Sequence, residues 1–140
     1  MKKGFSLIEV MIALCILMVS AMAFFRMHHA CVQARAYGEC LTRAAVLGSS
    51  RMMALGSLPG AAPELSPEWH QDPGNPLPDG GMGFYRFWTV RQTPAGREAT
   101  VYVAWSDRRR GRAQNFGSEE EISAATCPKV TFNELLFAAP

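Results

Sequence analysis

The sequence predicts an α+β fold: one long N-terminal α-helix, membrane-spanning in its first half, packed against a small antiparallel β-sheet head. Three observations predict it. The 21 residues from Phe5 to Phe25 contain a single ionisable group, Glu9. A period of about 3.6 in small and apolar residues then continues from Ala30 to Leu55. Beyond a Pro/Gly-rich stretch, two runs of alternating side chains occupy 84–91 and 100–105.

As a helix, the apolar run covers about 31 Å at about 1.5 Å per residue, enough to cross a bilayer. Lys2 and Lys3 precede it, and only Arg26 follows at once. The positive-inside bias therefore places the N-terminus in the cytoplasm and the rest of the chain in the periplasm. A secretory signal peptide would be shorter and would end on a small-x-small pattern, which Phe24-Phe25-Arg26-Met27-His28-His29 lacks. After Arg26, Ala30, Ala34, Tyr37, Leu41, Ala44, Gly48, Met52 and Leu55 line one helical face, opposite Gln33, Arg35, Glu39, Arg43 and Ser50. The expectation is one helix from about Phe5 to Leu55: a transmembrane segment over 5–25 and an amphipathic periplasmic half over 26–56. Gly38 and Gly48 each weaken it by about 1 kcal/mol. Gly56 and Pro59-Gly60 end it.

Residues 57–81 hold six prolines and four glycines, which predicts a connecting loop. The head then covers 82–140. Phe84, Arg86, Trp88 and Val90 alternate with Tyr85, Phe87, Thr89 and Arg91, and Val101, Val103 and Trp105 alternate with Thr100, Tyr102 and Ala104. Thr93-Pro94-Ala95-Gly96 supplies the turn between these two strands. A third strand is expected at Val130–Phe137, after a polar stretch at 107–123, giving a three- or four-stranded sheet laid on the helix stripe. There is no internal repeat.

Charged residues are 19% of the chain against 49% hydrophobic, and the formal net charge is +2. That balance does not call for a nucleic-acid partner. Without Lys2 and Lys3 the side-chain charge is 2 − 2 = 0. Four cysteines in so short a chain fit an oxidising compartment. Cys15 lies in the apolar run. On one helix, Cys31 and Cys40 are separated by roughly 900° and about 13.5 Å. Disulfide geometry requires Cα atoms within about 7 Å, so these two cannot pair. Cys127 is thus the expected partner of Cys31 or of Cys40.

The sharpest motif is Lys2-Lys3-Gly4-Phe5-Ser6-Leu7-Ile8-Glu9-Val10. It resembles the class III signal of type IV pilins and pseudopilins. The resemblance implies that prepilin peptidase cuts between Gly4 and Phe5 and that Phe5 becomes the methylated N-terminus. Residues 1–4 are then a leader, and Glu9 becomes the fifth residue of the mature chain. Physics singles out Glu9 independently, because a carboxylate in a membrane span is unfavourable by up to about 3 kcal/mol. In the pilin-like reading its partner is the α-amino group of a neighbouring subunit, and their meeting sets the register of assembly. The partners so implied are prepilin peptidase, other pilin or pseudopilin subunits and an inner-membrane assembly platform. Small residues at Ala30, Ala34, Ala44 and Gly48 serve as a core face for the head or allow close helix packing in a filament.

Other clusters read as ordinary surface. His28, His29 and Cys31 point about 100° apart on a helix and have no fourth ligand, so no metal is expected there. Asp72, Asn75 and Asp79 lack calcium-loop spacing. Arg108, Arg109, Arg110 and Arg112 read as a solvated loop. The soluble part offers no nucleophile-base-acid set and no phosphate loop, His70 being its one histidine, so neither an enzyme nor a cofactor is expected. The head lacks the paired C-terminal cysteines of many major pilins. Trp88-Thr89-Val90 followed by Val101-Tyr102-Val103-Ala104-Trp105-Ser106-Asp107 resembles the central strands of PilV-type minor pilins. A minor pilin is therefore expected, with a minor pseudopilin of a type II secretion system as the alternative. A bitopic membrane protein that never assembles is a more distant one.

Overall fold

The computed structural model describes residues 6–79, 81–94, 96–107 and 111–136. Helix α1 runs Leu7–Ser57, and the chain divides into two compact units, Met1–Glu39 and Cys40–Pro140.

In the first unit the Ser6 carbonyl accepts from the Glu9 and Val10 amides at 3.0 and 3.3 Å, which starts the helix. The large side chains that follow, from Leu7 and Ile8 to Phe24, Phe25 and Met27, are exposed. The most apolar 18-residue window reaches a mean hydropathy of 2.5 with none of it buried. Ser20 is the one hydroxyl within this run beyond Ser6, and it donates to the Ile16 carbonyl at 2.8 Å, so it asks nothing of its surroundings. Ala30 and Ala34, expected on the core stripe, are exposed.

In the second unit the order is a 3-10 turn (Pro63–Leu65), β1 (Trp69–Gln71), β2 (Leu77–Asp79), β3 (Met82–Thr93), β4 (Gly96–Trp105), α2 (Glu119–Ala124) and β5 (Lys129–Leu136). The sheet is antiparallel and five-stranded, ordered β1-β3-β4-β5, with β2 also on β3. The stretch expected to be only a connecting loop thus contributes two edge strands. Both are short, and Pro78 sits within β2, as suits a position at the margin of a sheet. β3 and β4 pair from Phe84↔Trp105 to Thr93↔Gly96. Gly96 has φ +142°, a conformation side chains rarely adopt, and Thr93 Oγ1 donates to its carbonyl at 2.9 Å. The turn residue Ala95 and the end of the expected third strand, Phe137, lie outside the described residues.

Period-two alternation decides which core each strand residue enters. Phe84, Trp88, Val90, Ala99, Val101, Val103 and Trp105 are buried on the α1 side. There they meet Cys40, Ala44, Gly48, Met52 and Leu55, so Cys40 takes the inward place expected of Leu41, which is 41% exposed. At Gly48 helix and sheet approach closely: a Cβ added there would lie 2.3 Å from the Phe132 ring.

The opposite face is covered as well. Phe87, Tyr102 and Ala104 form a second cluster with Ala113, Phe116, Ile122 and Cys127, joined by Trp69. The stretch read as polar surface at 107–123 therefore supplies a third layer. Its apolar residues are too sparse to show a period, yet each is buried. Ser118 caps α2 by accepting from the Glu121 amide, and Glu121 reaches back to the Gly117 amide at 2.7 Å.

Candidate processing and assembly site

The expected processing bond, Gly4–Phe5, lies outside the described residues. Immediately after it, Glu9 stands in the first turn of α1, exposed and flanked by Ile8, Val10, Ile12 and Leu14. It is the one carboxylate in the apolar first part of the helix, residues 7–25. In hydrocarbon such a group is tolerated with a cationic partner.

A family model of the prokaryotic N-terminal methylation motif matches residues 1–25. The first 25 residues are a type IV pilin or pseudopilin signal. That signal heads structural subunits rather than catalysts, and its long apolar helix fits an inner-membrane anchor. No curated protein and no solved structure matches the chain.

The remaining sequence candidates are scattered. All four cysteines are free, and the expected bond from Cys127 to Cys31 or Cys40 is not made. Cys40 Sγ meets Met82 Sδ at 3.3 Å on the α1 side of the sheet. Cys127 belongs to the cluster on the other face, so the sheet itself stands between them. Cys31 is exposed in the first unit. Burial raises the Cys127 thiol pKa, with Lys129 opposing. His70 stacks on Trp88 and engages the Ser66 carbonyl at 3.0 Å. Of the arginine run, 108–110 lie outside the described residues, and Asp107 and Gly111 pair by backbone bonds of 2.9 Å.

Asp72 and Asn75, considered as oxygen ligands, are instead engaged by Arg86. Asp72 Oδ2 accepts from Arg86 Nε at 2.9 Å and from its Nη2, while Asn75 exchanges two bonds of 2.9 Å with the Arg86 backbone. Arg86 Nη1 continues to the Leu47 carbonyl at 3.0 Å, tying the loop, β3 and α1 together. The pair is nearly buried, with side chains 15% and 11% exposed. Burial pushes the Asp72 carboxyl up, but bonds from Arg86 and Gly74 and the charges of Arg86 and Arg51 hold it below the usual carboxylate range. Beside it Arg51 lies 3.9 Å over the Trp88 ring, its pKa lowered by burial and by Arg86. Sequence reasoning missed this network. Arg86 reads there as one member of a half-buried strand, and nothing local announces a partner 14 residues upstream.

Proposed function

We propose that this chain is a minor pilin, processed by prepilin peptidase and incorporated into, or priming assembly of, a type IV pilus. The observation that carries the reading is the methylation motif at residues 1–25 leading without a break into a 51-residue helix whose first part is apolar and exposed. Cleavage falls between Gly4 and Phe5, Phe5 is methylated, and residues 5–25 anchor the chain with its N-terminus cytoplasmic and residues 26–140 periplasmic. Glu9 then pairs with the α-amino group of a neighbouring subunit, which offsets two charges in hydrocarbon and fixes register. The Trp88–Val90 and Val101–Asp107 strand patterns favour the minor pilin. The same signal also heads minor pseudopilins of type II secretion systems, and genes beside this one distinguish the two readings.

The test is intact mass spectrometry of the chain from membranes with and without prepilin peptidase. Loss of Met1–Gly4 with gain of one methyl group, only when the peptidase is present, is the expected result. An uncut chain, or one cut beyond Phe25, overturns it.

A further inference from the structure

The two margins of the sheet are built differently. On one side β3 is covered by two strands of three residues each, one containing Pro78. Such short, proline-bearing strands blunt an edge against further pairing. On the other side β5 is the terminal strand among the described residues, eight residues long and free of proline.

The register shows which of its backbone groups are unused. Trp105 N–H donates to the Pro128 carbonyl at 3.1 Å, so Trp105 and Pro128 are a hydrogen-bonded pair. Such pairs alternate along an antiparallel ladder. With Val103↔Val130 and Val101↔Phe132 as the next of the same kind, Val130, Phe132, Glu134 and Leu136 turn their amides and carbonyls to β4. Lys129, Thr131, Asn133 and Leu135 turn theirs outward. The one cation on the strand does not guard this edge, because Lys129 Nζ is drawn to the carbonyls of Ile122, Ser123 and Ala125. Val130 and Phe132 are half-buried on the α1 side, leaving an apolar margin to be continued, and beside them Glu134 is exposed.

We propose that the free edge of β5 is a strand-addition site that takes an extended segment of a second protein, apolar opposite Val130 and Phe132 and basic opposite Glu134. Main-chain bonds to the four outward residues provide the attachment, and the alternate side chains provide selectivity. Two-fold pairing with β5 of another copy is disfavoured by charge. No register of it sets a basic residue against Glu134, because the residues of β5 on that face are Val130, Phe132, Glu134 and Leu136.

The probe is the synthetic peptide Lys-Lys-Thr-Phe-Asn-Val-Leu-Leu, binding to the full chain in detergent. Antiparallel and centred on Phe132, it sets a lysine against Glu134 and a valine against Val130, with its third and fifth amides facing β5. Expected are saturable binding and slowed amide exchange at Thr131, Asn133 and Leu135. N-methylation of the third and fifth amides should weaken binding at least ten-fold, and methylation of the fourth and sixth should leave it within about two-fold. Asn133→Pro removes an outward N–H without touching the ladder to β4 and should weaken binding equally at an unchanged melting temperature. Absence of binding, equal binding of the two methylated peptides, or self-association of the full chain that Asn133→Pro abolishes would each overturn the proposal.

Discussion

Asp72 and Arg86 show how much a single pair decides in the head. Asp72→Asn leaves the Arg86 guanidinium nearly buried without its counter-charge, and breaking such a pair costs about 3 kcal/mol. Because the fold lowers the Asp72 pKa, its contribution is present above the unfolded value, about 3.9, and is lost as the pH falls through the folded one. Urea unfolding of the wild type should therefore weaken from about pH 4 downward, and Asp72→Asn should flatten that limb. At the alkaline end the sign reverses. Burial raises the pKa of Tyr102, helped by its 2.6 Å bond to Glu119, and burial also raises that of Cys127. Their contributions are intact below the unfolded values, about 10 and 8.5, and are lost as the pH climbs past them. Tyr102→Phe should cost about 1 kcal/mol at pH 7 and remove the steeper part of the alkaline decline, followed by the same unfolding titration. Glu9→Ala belongs to the assembly proposal: the chain should still be cut and methylated, yet drop out of the sheared filament fraction on immunoblots.

At the scale of elements, α1 and β5 approach closely at Gly48. Gly48→Ala improves helix propensity by about 1 kcal/mol but drives its Cβ into the Phe132 ring. Overpacking costs about 1–3 kcal/mol, so a net loss is expected in thermal unfolding. In a Phe132→Leu background, where the ring is gone, the same change should be neutral or stabilising. The helix and the β3–β4 hairpin were legible in the sequence because each carries its own period, and β5 was expected after the polar stretch that follows them. β1 and β2 were not. Three residues are too few to display alternation, and prolines around them read as loop until β3 offers backbone partners.

At the scale of the whole molecule, the two units call for different solvents. The first presents its large apolar side chains outward, whereas Cys40–Pro140 contains a core on each face of its sheet. A chain shortened to residues 29–140 should stay monomeric in detergent-free buffer with a cooperative melt, while the full chain should require detergent, as gel filtration and circular dichroism would show. The sequence by itself determined the methylation motif, the helix long and apolar enough to cross a membrane and the alternation of the long strands, because motif, apolar length and periodicity are properties of neighbouring residues. Only the tertiary structure decided that a third layer covers the sheet and that Cys40 and Cys127 are parted by it. It alone, too, set Arg86 between Asp72 and Leu47 and left β5 open at the edge. Each of those depends on which distant segments share a face of the sheet, and spacing along the chain does not encode that.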